Sequence, residues 1–429
     1  MKKGLIIGSG GREHALGWNI SRSGNIEILY APGNGGTEQE RNSRNVAMDI
    51  RNFSEIAKLV KKEKIDLTIV GPEEPLADGL VDYLYNKGCF SIFGPTQEAA
   101  KIESDKFYSY DIMQQLNIPQ AYSIKCESSE QAVKAINEIA TENGVVLKAR
   151  GLTGGKGVTV CSSKEQALST LEQHIINYGS HLLVAERLFG EEFSVFGIAN
   201  GERVYPLGMA FQDRKSLLDN NQGPNTGGMG ACGPVPFVSI SMVNDIVDRM
   251  MTPIIKNISK DSDADNYHGF LYAGMILTQQ GPKVLEYNVR FGDPECQPAM
   301  MLLRNNLYDA CSSALNRGSA HKQMSFDAGS ACCVVLTSPG YPGEFKKGLP
   351  ISGLEEVSKM HNIKVFHAGT KKDGEQIITT GGRVLGVTAY SPFGIEQARN
   401  LAYEAAYKLS IPGGFHYRRD IGSKAVIKH

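Results

Sequence analysis

Three polar side chains in the segment Leu285–Arg290 point to metal-assisted phosphate chemistry. The segment reads Leu-Glu-Tyr-Asn-Val-Arg and predicts a strand. Residues two apart on a strand face the same side, so Glu286, Asn288 and Arg290 would project together. Two oxygen ligands side by side suit Mg²⁺, which takes one or two protein groups and shares phosphates and water. Arg290 could steady a carboxylate or a transferring phosphoryl group. The alternative is a solvent-exposed strand face.

The segment Lys148–Val158 has the composition of a loop that folds over a triphosphate. Four of its residues are glycines, and it joins two predicted strands. It is not a Walker A loop, because no Gly-Lys-Ser/Thr opens a helix. We expect the backbone around Gly154 and Gly155, together with Lys148 and Lys156, to meet the phosphates of a nucleotide. The alternative is a flexible hairpin with solvated lysines.

The loop after the first predicted strand, Gly8–Glu13, offers a second anion site. A dinucleotide-binding fingerprint would need a third glycine where the chain has Glu13, and an acidic residue where it has Ala31-Pro32. A nicotinamide cofactor is therefore disfavoured. Glycines still let backbone N–H groups approach an anion at a helix start, and Arg12 adds a charged donor. The loop favours a phosphate on a small molecule, with a tight strand–helix turn as the alternative.

These loops must be held by regular elements, and apolar runs alternate with helical patterns through the first hundred residues. Strands are predicted at Gly4–Ile7, Ile26–Tyr30 and Leu67–Val70, and helices at Glu13–Arg22, Ser54–Lys62 and Leu76–Asn86. Such alternation predicts a doubly wound parallel sheet, whose ligands bind at the carboxyl ends of the strands. Three loops leave those ends, at residues 8–13, 31–37 and 71–75, so we expect a pocket there.

Further elements follow along the chain. Strands are predicted at Val145–Lys148, Val158–Cys161, Phe270–Leu277, Lys283–Tyr287 and Ala331–Leu336, with a hairpin turn at Lys372-Asp373-Gly374 and a polar loop at Ser259–Asn266. The glycines of Gly223–Gly230 imply close backbone approach, either to a substrate or to a neighbouring strand. His14 and His268 are lone histidines, for which core or surface roles are favoured over catalysis.

Composition excludes several classes of protein. The formal net charge of the 429 residues is −1, which favours neither nucleic acid nor an anionic membrane surface. No apolar stretch approaches the roughly 18 residues that span a bilayer. The eight cysteines are scattered without a Cys-x-x-Cys pair. These features predict a cytoplasmic protein with free thiols.

Taken together, the motifs resemble the ATP-grasp superfamily and, more narrowly, the phosphoribosylamine–glycine ligase family. The resemblance extends from residue 1 to about Gly422 and is carried by residues 10–15, 31–34, 69–73, 223–230 and 286–295. It implies a multidomain α/β and α+β protein. Its expected parts are an N-terminal substrate-binding domain (1–104), an ATP-grasp domain (105–325) with a mobile lid at about 122–186, and a β-rich C-terminal domain (326–429).

The resemblance also implies an activity and a set of site residues. The expected enzyme uses ATP to activate glycine as glycyl phosphate, which 5-phosphoribosylamine captures, with Mg²⁺ or Mn²⁺ and as a monomer. The implied ATP-binding residues are Lys106, Lys148, Gly154, Gly155, Lys156, Glu186, Leu188 and Glu192. The implied substrate-binding residues are Gly10, Gly11, Arg12, Glu13, Asn34, Glu73, Thr226, Gly227 and Asp293. Arg290 and Asp213 would be catalytic, and Glu286 and Asn288 would hold the metal.

The chain departs from the family pattern near the expected site. Arg150 stands where the family usually has Asp before the lid glycines, and it could attract phosphates or, as we favour, pair with a nearby acid. Arg214 and Ser216 replace the usual His and Arg after Asp213, and Ala185 replaces a glutamate at the adenine hinge. The rival functions are a sibling ATP-grasp ligase or carboxylase, and a nucleotide-binding protein without catalysis.

Overall fold

The computed structural model describes residues 1–259, 267–319 and 324–425, so residues 260–266 of the predicted polar loop lie outside the described residues. The first hundred residues form a parallel sheet with strand order β3-β2-β1-β4-β5. In chain order its elements are β1 Lys2–Gly8, α1 Gly11–Ser21, β2 Ile26–Pro32, β3 Ser43–Asn45, α2 Phe53–Glu63, β4 Leu67–Val70, α3 Glu73–Ala77, α4 Leu80–Asn86, β5 Ile92–Phe93 and α5 Gln97–Ser104. The three predicted strands of this sheet are confirmed.

One predicted helix is wrong in this region. The pattern at Leu76–Asn86 predicts one helix, whereas the structure has α3 and α4 separated by Asp78 and Gly79. Gly79 has φ of +84°, in the left-handed region that ends a helix. The apolar period continues across the break because both helices pack on the same core.

A small antiparallel sheet with order β6-β9-β7-β8 follows. Its elements are α6 Lys106–Gln115, β6 Ser123–Cys126, α7 Ser129–Ile139, β7 Val145–Ala149, β8 Val158–Cys161, α8 Lys164–Tyr178 and β9 Leu182–Glu186. The side chains of Ser128 and Ser163 cap α7 and α8 by accepting backbone N–H bonds at 3.3 and 3.2 Å. The helices and the sheet enclose their own apolar cluster, separate from the larger cores.

The centre of the molecule is one eight-stranded antiparallel sheet, with order β16-β15-β10-β11-β14-β17-β21-β18. Its first part comprises β10 Glu191–Asn200, β11 Val204–Asp213, β12 Ser216–Leu218, β13 Gln222–Asn225, β14 Gly230–Gly233, α9 Ile240–Ile246, α10 Thr252–Ile258, β15 His268–Thr278, β16 Gly281–Asn288, α11 Cys296–Leu302 and α12 Leu307–Leu315. A π-helical stretch at Val247–Met251 links α9 to α10, and β12 pairs with β13 as a separate hairpin.

The C-terminal part adds β17 Ser330–Thr337, α13 Leu354–Ser358, β18 Ile363–His367, β19 Thr370–Asp373, β20 Gln376–Thr379, β21 Arg383–Ser391 and α14 Ile395–Tyr407. β17 pairs with β14, so the central sheet runs through the predicted boundary at residue 325. The multidomain fold class is confirmed, with its parallel N-terminal sheet and sheet-rich C-terminal part. Within the described residues, no helix is both long and apolar enough to cross a membrane.

Candidate active site

A cavity of about 430 Å³ opens where the N-terminal loops, the small sheet, the central sheet and the C-terminal part meet. Most of the residues selected from the sequence line it: Gly10, Arg12, Glu13, Glu73, Lys106, Lys148, Gly154, Gly155, Asp213, Thr226, Gly227, Glu286, Asn288, Arg290 and Asp293. The remaining ones lie outside its lining: Gly11, Asn34, Lys156, Glu186, Leu188 and Glu192. The fold therefore brings into one cavity polar residues as far apart in sequence as Gly10 and Asp293.

One wall is the loop between β1 and α1. Gly8 has φ of +124°, and a Cβ there would lie 2.6 Å from Cγ of Glu13, so the turn admits no side chain. The Gly10 N–H donates to Glu13 Oε2 at 2.6 Å, and Arg12 Nε donates to Glu13 Oε1 at 2.5 Å. Glu13 thus organises the loop internally, while Arg12 also reaches the carbonyl of Phe291 at 3.2 Å.

Asn34 follows the neighbouring strand β2 but does not face the cavity. Its Nδ2 donates to the carbonyls of Ser9 and His367 at 2.8 Å each, and its Oδ1 accepts the backbone N–H groups of Gly36 and Thr37 at 3.0 and 3.2 Å. The side chain is buried. Asn34 therefore ties the first loop to the C-terminal part of the chain.

Arg290 is the centre of a buried ionic network. Its Nε lies 3.3 Å from Glu73 Oε2, and its NH2 lies 3.1 Å from Glu103 Oε1 and 3.1 Å from Asn288 Oδ1. Burial alone would raise the pKa of Glu73, but Arg290 and Arg12 outweigh it and lower that pKa to about 2. Strand β16 ends at Asn288, so Arg290 joins the group from the turn beyond the predicted strand.

Glu286 lies among three lysines. Lys215 Nζ is 3.3 Å from Glu286 Oε1, and Lys148 Nζ donates to the carbonyl of Leu285 at 3.1 Å. Burial would raise the pKa of Glu286, but Lys215, Lys106 and Lys148 outweigh it and lower the pKa to about 2. Burial lowers the pKa of Lys148 to about 8, although Glu286 opposes the shift. This wall therefore carries one ionised carboxylate, Glu286, surrounded by three lysines.

The glycine loop between β7 and β8 covers this wall. Gly154 and Gly155 have φ of +58° and +78°, and a Cβ on Gly155 would lie 3.3 Å from the carbonyl of Thr226. Thr153 Oγ1 accepts the N–H of Gly157 at 2.8 Å, which closes the loop on itself. Lys156, at the loop tip, is exposed. The loop lies close to Gly223–Gly230 across the cavity mouth.

The segment Gly223–Gly230 packs against protein. A Cβ on Gly228 would lie 2.5 Å from Cδ of Pro294, and the carbonyl of Gly227 accepts Arg383 NH1 at 2.6 Å. Thr226 Oγ1 donates to the carbonyl of Lys215 at 2.7 Å. These glycines therefore allow the segment to pack closely against the turn after Arg290 and against Arg383 of β21.

The residues expected near adenosine line the hinge of the small sheet. Glu186 Oε1 accepts the N–H of Tyr122 at 3.1 Å and lies 3.6 Å from Lys283 Nζ. Leu188 packs on the small apolar cluster that contains Ala185. The carbonyl of Glu192 accepts Gln212 Nε2 at 2.9 Å. Ala185 is fully buried, so a glutamate at that position would need a charge partner inside the sheet.

The other departures from the family pattern also have structural partners. Arg150 NH2 lies 2.6 Å from Asp105 Oδ2, which confirms the favoured pairing with a nearby acid. Arg214 NH2 donates to Gln212 Oε1 at 2.9 Å. The carbonyl of Ser216 accepts NH1 of the buried Arg418 at 3.0 Å. Arg150, Arg214 and Ser216 are absent from the cavity lining.

Sequence reasoning missed several lining residues, chiefly Glu103, Lys215, Tyr272, Glu295 and Arg383. Lys215 had a local signal, because it follows Asp213 by two positions. Glu295 lay in the quoted Phe-Gly-Asp-Pro-Glu run. Arg383 offered no signal, since it reaches Asp293 Oδ2 at 3.1 Å from ninety residues away.

The residues around Glu286 fit a divalent ion that is shared with phosphates. In the described residues, no group of three or more His, Cys, Asp and Glu side chains could hold a metal alone. Glu286 supplies an ionised carboxylate at the cavity wall. Asn288 supplies a carbonyl oxygen, Oδ1, which accepts Arg290 NH2 at 3.1 Å and retains a second lone pair. Two such groups match an ion that takes few protein ligands.

Comparisons with known proteins match this chain to a single enzyme family along nearly its whole length. Family models described as phosphoribosylglycinamide synthetase match the chain as an N domain at residues 2–103, an ATP-grasp (A) domain at 104–296 and a C domain at 331–424. The phosphoribosylamine–glycine ligase of Vibrio parahaemolyticus is 40% identical over 431 residues, covering 99% of this chain and 98% of that protein. That of Rhodopirellula baltica is 39% identical over 435 residues, with 99% and 98% coverage.

Solved structures agree with these relatives. The crystal structure of phosphoribosylamine–glycine ligase from Thermotoga maritima matches with a TM-score of 0.82 and 31% identity, covering 98% of this chain and 100% of that one. The biotin carboxylase of Campylobacter jejuni matches with a TM-score of 0.72 at 14% identity, with 96% and 92% coverage. At that identity, the second match shows a shared fold alone.

Proposed function

We propose roles for the residues of the cavity on the basis that this chain belongs to the phosphoribosylglycinamide synthetase family. The chain is accordingly an ATP-dependent ligase that joins glycine to 5-phosphoribosylamine in de novo purine synthesis. It forms glycyl phosphate as an intermediate and releases glycinamide ribonucleotide, ADP and phosphate. The observation that carries the assignment of residues is the single cavity that unites the glycine loops, the lysines and Glu286.

The reaction has two bond exchanges. A carboxylate oxygen of glycine attacks the γ-phosphorus of ATP, and the bond to the β,γ-bridging oxygen breaks, leaving ADP and an acyl phosphate. The amine of phosphoribosylamine then attacks the acyl carbon. Phosphate leaves with its bonding electron pair, and the new amide nitrogen loses a proton. The site must therefore bind a triphosphate, align a carboxylate with it and exclude water from the acyl phosphate.

ATP phosphates are assigned to the wall that bears Lys106 and Lys148. Both lysines act on Glu286 electrostatically, so a polyanion would find positive charge on the same surface. The loop that contains Gly154 and Gly155 would close over the phosphates, bringing the exposed Lys156 inward. Adenosine is assigned to the hinge side, where Glu186, Leu188 and Glu192 lie along and after β9.

The divalent ion is assigned to Glu286 and Asn288, with Mg²⁺ or Mn²⁺ as its identity. When bound, such an ion neutralises charge on the β- and γ-phosphates. The low pKa of Glu286 supports the assignment because the ligand stays ionised at any physiological pH. Arg290 is assigned to the developing negative charge at the acyl phosphate, a contribution of about 3–4 kcal/mol at comparable sites. Its ties to Glu73 and Glu103 would hold it in place without reorganisation.

Phosphoribosylamine is assigned to the opposite wall. Gly10, Gly11, Arg12 and Glu13 would form the phosphate side, with Glu73 near the ribose; Thr226, Gly227 and Asp293 would close the far side. Asn34 would act through the loop, because its side chain holds the carbonyl of Ser9. Asp213 faces the space between the two walls and is assigned to glycine.

The proposal also covers the oligomeric state, the cellular compartment and the domain boundaries. A monomer is part of the proposal, and size-exclusion chromatography of the native enzyme tests it. All eight free cysteines are buried, which supports a reducing compartment such as the cytoplasm. We keep the domain boundaries at 104/105 and 325/326 as proposals, with the lid at about 122–186.

Isotope transfer tests the chemistry directly. With glycine labelled with ¹⁸O in its carboxylate, one label should appear in the released phosphate. Unlabelled phosphate would exclude the acyl phosphate. ADP release that depends on glycine together with phosphoribosylamine, and not on bicarbonate, separates this activity from that of a carboxylase with the same fold.

A further inference from the structure

His14 is a buried histidine that lies directly beside one loop of the cavity but outside the cavity lining. It is the fourth residue of α1, one position after Glu13, and it is 1% exposed. None of the roles assigned above uses its side chain. Buried ring nitrogens are normally hydrogen-bonded, so the partners of His14 indicate what the ring holds in place.

Both ring nitrogens of His14 have partners, and these bonds fix its protonation. Nδ1 accepts the backbone N–H of His367 at 2.9 Å, and Nε2 lies 2.9 Å from Oε1 of Glu40, which also pairs with Lys364. An Nδ1 that accepts bears no proton, so the ring is neutral and its Nε2–H donates to the carboxylate. Burial alone would raise the pKa of Glu40, but the contacts with His14 and Lys364 outweigh it and lower that pKa to about 2. An ionised carboxylate therefore holds His14 in one tautomer.

His367 belongs to β18, the last strand in the order of the central sheet. An edge strand has main-chain groups that its sheet does not use. The N–H of His367 donates to His14, and its carbonyl accepts Nδ2 of Asn34 at 2.8 Å. The same Nδ2 donates to the carbonyl of Ser9 at 2.8 Å. One residue of the C-terminal part therefore holds residues 9 and 14, which flank the loop assigned to the substrate phosphate.

Close packing at Gly35 and Gly36 completes this contact. A Cβ on Gly36 would lie 2.5 Å from the His367 ring and 2.7 Å from the His14 ring, so both rings lie against the main chain of the loop after β2. The N–H of Gly35 lies 3.2 Å from both the carbonyl oxygen and Oγ1 of Thr370. Thr370 Oγ1 is also 3.1 Å from Nδ1 of His367. Groups packed this closely shift together, so the position of β18 determines the position of both N-terminal loops.

We propose that His14 is a positioning residue for phosphoribosylamine, and that His14 and β18 together hold the phosphate loop in its binding geometry. The inference rests on the proposed function, because that function assigns the substrate phosphate to this loop. Backbone N–H groups bind an anion at a helix start when they point at it together. The N–H of His14 donates to the carbonyl of Gly10 at 3.1 Å within the same turn. Anchoring both ends of the loop reduces the entropy that is lost when phosphate binds.

The contribution of the phosphate group to binding tests this proposal. It is measured as a ratio, the Kd for glycinamide riboside, which lacks the phosphate, divided by the Kd for glycinamide ribonucleotide. In His14→Leu, which removes both hydrogen bonds of the ring, the ratio should fall by about tenfold, because a buried N–H of His367 loses its partner. The Kd for a non-hydrolysable ATP analogue with Mg²⁺ should stay within about twofold, because ATP is assigned to the opposite wall.

Three further variants separate this role from a general structural one. In His14→Asn, the amide oxygen can replace Nδ1 as the acceptor for His367, so most of the native ratio should return. His268→Leu is the matched control, because His268 is also buried, lies 3.0 Å through Nδ1 from the carbonyl of Ala314 and is absent from the cavity lining. It should keep the native ratio. Thr370→Val keeps the shape but loses the hydroxyl beside Gly35, so the ratio should fall, and this variant decides the result if His14→Leu does not fold.

Initial rates provide a second measurement. The KM for phosphoribosylamine should rise in His14→Leu, whereas the KM values for ATP and glycine should not. An unchanged ratio in His14→Leu and Thr370→Val would overturn the proposal. Equal losses of affinity for riboside and ribonucleotide would also overturn it, as would the same fall in His268→Leu. A native enzyme that does not ligate glycine would instead refute the proposed function, whereas an active enzyme whose variants keep the native ratio refutes this inference alone.

Discussion

At the scale of single residues, Glu286 is held ionised by the cations around it. Lys215, Lys106 and Lys148 together outweigh the effect of burial on its pKa. An amide in its place keeps the shape but loses the charge that a divalent ion needs. On the proposed assignment, the carboxylate would bind the divalent ion, and it balances the charge of the lysines.

Glu286→Gln is expected to lower ADP release at limiting Mg²⁺ by about 100-fold, because loss of a direct ligand should cost at least the upper end of the 10–100-fold that lost outer-shell support costs a metal site. Turnover measured against Mg²⁺ concentration checks this. Glu355→Gln, at an exposed carboxylate on α13, should behave as the native enzyme does. Near-native activity of Glu286→Gln at limiting Mg²⁺ would contradict the assignment.

Glu295 gives a prediction about pH. Its folded-state pKa of about 7 exceeds the ordinary value of 4.5, so the folded protein holds this proton more strongly than the unfolded chain. Its contribution to stability is therefore fully present below about pH 4.5 and is lost as the pH rises through 7. Glu295→Gln should remove that loss. Denaturant unfolding at pH 6 and pH 8 should show a smaller decrease in the free energy of unfolding for the variant, and an equal decrease in both proteins would refute it.

At the scale of elements, the small sheet β6-β9-β7-β8 carries the glycine loop and contacts the rest of the molecule at the base of that loop. One tie is the ion pair between Arg150 and Asp105, with Arg150 Nε also 3.0 Å from Asp105 Oδ1. The carbonyl of Arg150 accepts the N–H of Lys106 at 2.8 Å. The base of the loop is thereby joined to Lys106, the first residue of α6 and part of the wall to which the ATP phosphates are assigned.

The glycine loop between β7 and β8 should act as a lid that bound nucleotide holds closed. Hydrogen exchange across residues 145–160 is expected to slow when a non-hydrolysable ATP analogue binds, because contacts to phosphate offset the entropy that glycines lose on ordering. Unchanged exchange with the analogue demonstrably bound would mean that this loop is not an ATP lid.

Arg150→Ala should speed exchange in the same segment without nucleotide. The pair is partly exposed, so global unfolding should change by less than about 1 kcal/mol. Arg249→Ala, which removes another exposed arginine–aspartate pair, is the control and should leave the loop unaffected. A large loss of global stability in Arg150→Ala, with no local effect, would contradict the local role.

At the scale of the whole molecule, the central sheet joins two parts of the chain that family descriptions treat as separate domains. β14 pairs with β11 on one side and β17 on the other. Arg383 then reaches the cavity from β21, donating to the carbonyl of Asp293 at 2.8 Å. The C-terminal part is therefore structural support for the site as well as a unit with its own core.

A chain ending at residue 325 is expected to aggregate and to lack ligase activity. Removing β17 leaves β14 as an unpaired edge and exposes an apolar core, which are known conditions for aggregation. Size-exclusion chromatography and circular dichroism of the truncated chain, beside the full chain, check this. A soluble fragment that unfolds cooperatively and turns over ATP would show that the sheet boundary is dispensable.

Much of the cavity lining could be predicted from the sequence. Local apolar patterns predicted β4 and β8 with the observed bounds, and alternation on one strand brought Glu286 and Asn288 together as the structure does. These inferences succeeded because strand periodicity and turn chemistry depend on residues that are close in sequence. The family resemblance supplied the reaction and its substrates, which the residue patterns alone did not name.

Tertiary structure decided the partners. Asn34 turns from the cavity to the carbonyl of His367, Arg150 finds Asp105, and Arg383 enters the site from β21. Each of these contacts joins residues far apart in sequence, so no local period encodes it. Tertiary structure likewise decides that Asp213 and Glu295 have no cation within 4 Å among the described residues, whereas the other carboxyl groups of the cavity lining do. Local sequence determined which groups are present, whereas packing determined which of them remain free to bind a ligand.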